Sequence, residues 1–223
     1  MPPRPNLLTF DVFGTLLDWR TGLAADVARA GGPVLDGTLF DRVIDAQAEL
    51  EAGAFRSYAE ITATSLARVL GLDPDAARGI GERVGEWPLY PDTAQALARL
   101  ARIAPCAATT NSDHAHPPQV EAQLRMSLAH WICAEDVGAY KPDPRVWHAA
   151  AERAGVVPGP AWWHVSAYAD YDLVTARALG LTCVYVARPH ARAGTPDLID
   201  VRVPDLTALA EHVERLADDT AAR

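Results

Sequence analysis

The run LLTFDVFGTLLD (residues 7–18) is apolar until it reaches Asp11, and a carboxylate at the edge of a core costs free energy unless something uses it. Similar polar interruptions recur down the chain. Thr110-Asn111-Ser112 closes the run CAATTN, Lys141 stands in AYKPDPRVW, and Ser166, Tyr168, Asp170 and Asp172 follow one another in VSAYADYD. A carboxylate so placed can attack an electrophilic centre and leave an ester that water then opens. A lysine beside it holds it ionised by charge pairing, and hydroxyls with backbone amides donate to an anionic group. Any one of these residues taken alone could be a turn or capping residue; their coincidence is the signal.

The elements that must carry them are legible. Buried strands are expected at 7–12, 106–111, 162–167 and 182–187, with a weaker one at 131–135, and helical patterns fall between them at 91–103, 117–126, 143–155 and 172–180. Gly155 and Gly180 close the last two, as glycine does at helix C-termini. Strands alternating with helices make a parallel sheet, and in an open parallel sheet ligands bind beyond the carboxyl ends of the strands, where Asp11, Thr110 and Ser166 stand. Between Asp18 and Trp87 the alternation fails. TGLAADVARAG, GTLFDRVIDAQAELEAG, SYAEITATSLARVLG and DPDAARGIGERVGEW read as four helices, the last opened by Asp73-Pro74. About 70 residues are too many for a loop, so a helical lid inserted after the first strand is expected.

At 223 residues the chain suits one domain with an insertion, and 49% hydrophobic residues provide a full core. A formal charge of −9 argues against nucleic acid or an anionic membrane as partner. No apolar stretch approaches a membrane span, MPPRPN lacks the features of a signal peptide, and Cys106, Cys133 and Cys183 sit singly in apolar runs. The expected setting is cytoplasmic, with buried reduced thiols. A homodimer is an open alternative.

Taken in order, DVFGT, TTNS, YKPDP and VSAYADYD, with a helical insertion after the first, resemble the four motifs of the haloacid dehalogenase-like (HAD) superfamily over essentially the whole chain. The resemblance implies an α/β fold. Its Rossmann-like parallel-sheet core would span 1–16 and 89–223, with a C1-type helical cap at 17–88. It also implies that Asp11 is the nucleophile, with Thr15 and Lys141 in the catalytic set beside it. Thr110, Asn111 and Ser166 would meet substrate, Asn111 alternatively anchoring its loop.

Most members of the superfamily are phosphatases with a second Asp two residues after the first, which protonates the departing alkoxide. Here that place holds Phe13. Halide is a weak base and leaves without a proton, so an aromatic is tolerable in a dehalogenase, where it shapes an apolar pocket. In the fourth motif Ala167 replaces the acid that usually ligates Mg²⁺, Tyr168 takes the place of an Asn, and Asp172 matches the acid that positions water, with Asp170 a rival. Among candidate anion contacts Arg42 stands nearest the family's cap arginine, with Arg20 and Arg56 as competitors. His190 and Arg192 belong to a basic loop, RPHARAG, read as solvated, and Trp147 replaces a family tyrosine. The expected activity is displacement of a leaving group from a small carboxylic acid such as a 2-haloacid, through an aspartyl ester and without a cofactor. A Mg²⁺-dependent phosphatase with degraded motifs and a non-catalytic binding protein are the competing readings.

Overall fold

The computed structural model describes residues 2–221, with side chains described to residue 218. Six strands form one parallel sheet: β1 (Leu7–Phe10), β2 (Cys106–Thr110), β3 (His130–Cys133), β4 (Trp162–Ser166), β5 (Thr182–Val186) and β6 (Val201–Val203), in the order β3-β2-β1-β4-β5-β6. β1 is central, pairing Thr9 with Ala107 of β2 on one side and with His164 of β4 on the other. Parallel neighbours require crossovers, and the crossovers cover both faces with helices.

Successive strand residues point to opposite faces, so each strand feeds two cores. Leu8, Phe10, Trp163, Val165 and Val184 pack against Leu97 and Leu100 of α5 (Thr93–Leu100), Val120 of α6 (His116–Leu124) and Leu209 and Val213 of α10 (Leu206–Ala221). Leu7, Trp162 and Cys183 pack on the other face against Val146 and Trp147 of α8 (Arg145–Ala154) and Ala176 of α9 (Val174–Ala178). Each such fully buried aliphatic side chain contributes about 1.5–3 kcal/mol over an exposed one. The three cysteines are buried and unpaired, and burial pushes their thiols up to about 12.

The helical insertion consists of α1 (Trp19–Arg29), α2 (Gly37–Glu51), α3 (Tyr58–Leu70) and α4 (Pro74–Gly81). Asp18, Asp36, Ser57 and Asp73 accept backbone N–H bonds at the four N-termini, satisfying donors that would otherwise be orphaned. The helices enclose their own apolar cluster, including Leu23, Val27, Val43, Ile61, Leu66 and Ile80, to which Ala134 and Tyr140 are added from the other part of the chain. The insertion is tied down on its α6 side. Asp113 accepts from Tyr58 N (2.7 Å) and Ala59 N (2.8 Å), His116 Nε2 lies 3.1 Å from Gly81 O, and Gln123 donates to Gly85 O and Trp87 O.

Elements outside the sequence expectation include β6 and α10. The helix expected at 172–180 is α9 preceded by a π turn over Ala169–Leu173, and α7 (Ala134–Val137) starts where the weak strand was expected to continue. No helix among the described residues is long and apolar enough to cross a membrane.

Candidate active site

The chain leaves β1 through a tight turn in which Val12 O accepts from both Leu16 N and Leu17 N at 2.9 Å. Gly14 takes φ 90°, and a Cβ there would lie 2.5 Å from the Tyr168 hydroxyl, so the turn requires glycine for backbone and space alike. This turn presents Asp11 and Thr15 to each other. Thr15 Oγ1 donates to Asp11 Oδ2 at 2.6 Å and accepts from Ala167 N at 3.0 Å, joining the ends of β1 and β4. Arg188 Nε donates to Thr15 O at 3.0 Å while its guanidinium pairs with Asp92, which locks the turn from behind.

Lys141 closes the constellation. Its Nζ donates to Asp11 Oδ1 at 2.8 Å and to Asp172 Oδ2 at 2.9 Å, with all three side chains buried. Two carboxylates therefore share one ammonium away from bulk water, where a charge is tolerated only when paired. Burial pushes Asp11 up against the pull of Lys141 and Thr15. Burial alone would raise Asp172 too, but the Lys141 charge and the contact with His164 hold it at about 2. Asp172 Oδ1 has no hydrogen-bond partner, so one oxygen of this acid is uncommitted.

The main chain that carries Lys141 is itself held. Asn111 Oδ1 accepts from Lys141 N at 2.7 Å, Asn111 Nδ2 donates to the Tyr171 hydroxyl at 2.8 Å, and that hydroxyl donates to Lys141 O. In front of the three charged groups lies a cavity of about 460 Å³. Asp11, Lys141 and Asp172 form its floor; Arg20 and α2 residues including Ile44, Ala48 and Glu51 form its far wall. Phe13 borders it with its ring 5.5 Å from that of Tyr58 and 5.9 Å from that of Trp87, so an aromatic lining stands beside the carboxylate. A second cavity, of about 350 Å³, shares Ala48, Glu51, Lys141 and Tyr171 with the first.

A family model for haloacid dehalogenase-like hydrolases matches residues 5–163. The chain belongs to that family. It is similar to the (S)-2-haloacid dehalogenase H-109 of Pseudomonas putida, at 30% identity over 82% of this chain and 86% of that one. Among solved structures, the L-2-haloacid dehalogenase PA0810 is 26% identical with a TM-score of 0.80, covering 95% of this chain and 99% of the other. The L-2-haloacid dehalogenase of Xanthobacter autotrophicus shares the fold at 24% identity, with a TM-score of 0.77 over 94% of this chain and 98% of that one.

In this HAD-like hydrolase, then, the structure brings together Asp11, Thr15, Lys141 and Asp172 and places Phe13, Asn111 and Tyr168 on the cavity. Tyr168 accepts from Trp19 Nε1 at 3.0 Å, joining the β4 loop to α1. Asn111 serves as the anchor of the Lys141 loop as well as a lining residue. Ser166 and Thr110 are buried and do not line the cavity; Ser166 Oγ accepts from Tyr168 N, and Thr110 Oγ1 has no hydrogen-bond partner.

Arg42 is a correction. It is exposed on α2, and the face that α2 turns to the cavity carries Asp41, Ile44, Asp45, Ala48 and Glu51, one residue out of phase with it. Arg56 is also exposed, with its guanidinium 3.9 Å from Glu60. Arg20 lines the cavity instead, its guanidinium 4.8 Å from the Phe40 ring and 5.4 Å from the Trp19 ring, with a buried Nε that has no hydrogen-bond partner. His190 and Arg192, read as solvated, border the cavity too, and Arg192 pairs with exposed Asp170 at 3.4 Å. Trp147 is fully buried beneath the sheet.

Residues of the site that went unnoticed in the sequence include Tyr171, Trp19 and Glu51. Glu51 lies on the cavity wall, where burial, partly offset by the Lys141 charge, pushes its carboxyl up to about 7. The spacing 41, 44, 45, 48, 51 is a helical stripe, and that periodicity is the signal that could have found it.

Proposed function

We propose that this hydrolase is a 2-haloacid dehalogenase whose nucleophile is Asp11 and whose helical insertion acts as a cap over the reaction. The observation that carries the reading is the shared ammonium: Lys141 touches both Asp11 and Asp172. It keeps Asp11 ionised beside an aromatic wall where Phe13 offers no proton. An Asp11 oxygen attacks the carbon that bears the halogen; the carbon–halogen bond breaks and halide leaves with its electron pair, requiring no acid. Water next to the free Oδ1 of Asp172 then loses a proton to that acid and attacks the Asp11 carboxyl carbon, opening the ester to a hydroxy acid. Arg20, with an uncommitted nitrogen and aromatic rings beneath it, is the cation that receives the substrate carboxylate.

The donor set does not suit Mg²⁺. The space between Asp11 and Asp172 belongs to the Lys141 ammonium, and Ala167 brings no oxygen from its side chain, whereas Mg²⁺ asks for several carboxylate or phosphate oxygens in octahedral array. The reaction proposed therefore runs on protein groups alone, and the phosphatase reading loses its support. The intact Asp11–Lys141–Asp172 constellation likewise disfavours a binding protein without catalysis.

Halide release from a panel of 2-chloro- and 2-bromoacids, run beside a generic phosphate ester, tests the activity. Release from the acids with no phosphate cleavage is the expected result; phosphate cleavage alone overturns it. A single turnover in heavy-oxygen water tests the ester. The first product should carry unlabelled oxygen taken from Asp11, and label in that product would mean direct attack by water.

A further inference from the structure

Below Asp172 lies a polar chain that the reaction as described leaves unused. Trp162, Thr9 and His164 project from β4 and β1 to the same face of the sheet. Trp162 Nε1 donates to Thr9 Oγ1 at 2.8 Å, and Thr9 Oγ1 lies 2.9 Å from His164 Nδ1. His164 Nε2 has no hydrogen-bond partner and faces Asp172 Oδ2 at 3.7 Å, beyond hydrogen-bond length. Thr9, His164 and Asp172 have no exposed surface at all. The Trp147 ring stands edge-on to the imidazole, 5.4 Å away at 74°, which fixes the ring plane.

The proton positions follow from the donor inventory. An indole N–H only donates, so it occupies a lone pair of the Thr9 hydroxyl. The Thr9 hydroxyl hydrogen has no acceptor among the described residues other than His164 Nδ1, so it points there. Nδ1 accepts, and the neutral ring carries its proton on Nε2, the nitrogen that faces Asp172. Without that chain the imidazole could equally present a lone pair to the carboxylate, and the two would repel.

We infer that His164 is a positioning residue for the ester-opening step, its buried and unpartnered Nε2–H drawing the Oδ2 side of Asp172 toward it by charge–dipole attraction across 3.7 Å, which favours the orientation with Oδ1 turned to the hydrolytic water. This rests on the aspartyl-ester reading. Asp172 is met by Lys141 from the segment before α8, by His164 from β4 and by the charge of Asp11 from β1, while the hydroxyl of Tyr171 on its own turn is committed to Lys141 O. When Asp11 becomes an ester its negative charge disappears. Lys141 then belongs to Asp172 alone, and one donor would leave the carboxylate free to rotate. The Nε2–H of His164 faces the same oxygen, Oδ2, and biases the carboxylate against that rotation. In the step itself water passes one proton to Asp172, which hands it to the departing product oxygen; the second proton goes to solvent as Asp11 regains its charge. The low proton affinity of Asp172 agrees with a carboxylate beside the Lys141 charge.

The experiment separates the two half-reactions. Wild type, His164→Phe, His164→Gln and Thr9→Val are each mixed with 2-chloropropionate in a single turnover, with halide release, intact-protein mass and hydroxy-acid formation followed against pH. The expected outcome for His164→Phe is ester opening slowed about 10–100-fold with ester formation slowed less than about threefold, so that the adduct accumulates. The acid limb of ester opening should move to higher pH, because the ionised form of Asp172 loses the N–H dipole that faces it. Thr9→Val keeps the ring and its packing, and should show the same split because Nδ1 no longer fixes the tautomer. His164→Gln, which restores an N–H, should recover part of the rate. Equal loss in both half-reactions, or no shift of the acid limb in either variant, overturns the inference and leaves His164 as packing. Halide release by wild type with no adduct in any variant, and label from water in the first product, sinks the ester reading and this inference with it.

Discussion

Asp172 is fully buried and accepts from Lys141 Nζ at 2.9 Å. A carboxyl whose ordinary value is 3.8 and whose folded value is about 2 binds fewer protons in the folded state than in the unfolded one between those limits. Its stabilisation is complete above pH about 4 and is lost as the pH falls through about 2. Asp172→Asn should cost on the order of 2 kcal/mol at pH 7, with the gap to wild type closing below pH about 4. Urea midpoints at pH 7 and pH 3 check this.

Glu51 has the opposite sign. Its carboxyl rises from 4.5 to about 7, so the folded chain keeps a proton that the unfolded chain has already lost. Stability falls as the pH rises from about 4.5 to about 7 and stays lower above that. Glu51→Gln, which mimics the neutral acid, should match wild type at pH 4 and exceed it by on the order of 3 kcal/mol at pH 8. A midpoint difference that does not change with pH would refute the assignment.

Arg20 and Arg42 separate the two candidate anion contacts. Arg20→Ala should raise KM for a 2-haloacid about 10–100-fold, the loss of one charged hydrogen-bond partner. Arg42→Ala should leave KM within about twofold, since the side chain lies outside the cavity. Steady-state halide release on both variants decides between them, and a larger effect at Arg42 would reverse the assignment.

Exhaustive chelation should leave halide release unchanged, and added Mg²⁺ should not raise it, because the Lys141 ammonium occupies the place between the carboxylates. Chelation that stops turnover, with Mg²⁺ restoring it, would reopen the phosphatase reading.

Much of this arrangement was legible because chemistry and strand ends coincide. Asp11, Thr15, Lys141 and Asp172 come from three separate stretches, yet each interrupts or follows an apolar run at the carboxyl end of the sheet. The choice between Asp170 and Asp172 was not legible, because a π turn adds a residue to the helical advance and sends Asp172 inward while Asp170 meets Arg192. Arg42 illustrates the same gap: α2 shows its periodicity in the sequence, but which stripe faces the sheet depends on how the helix docks. The strand β6 has three residues, too few for any alternation to stand out. Helix α10 does carry an apolar stripe at Leu206, Leu209, Ala210 and Val213, which spacing alone displays.

Asp113, His116 and Gln123 fasten the helical insertion on the side next to α6, while Trp19 on Tyr168 and Tyr140 on Arg56 O fasten it nearer the cavity. The cavity face of α2, with Ile44, Ala48 and Glu51, carries none of these fastenings. Substrate and product would then pass at the α2 margin, where the insertion grips the rest of the chain least.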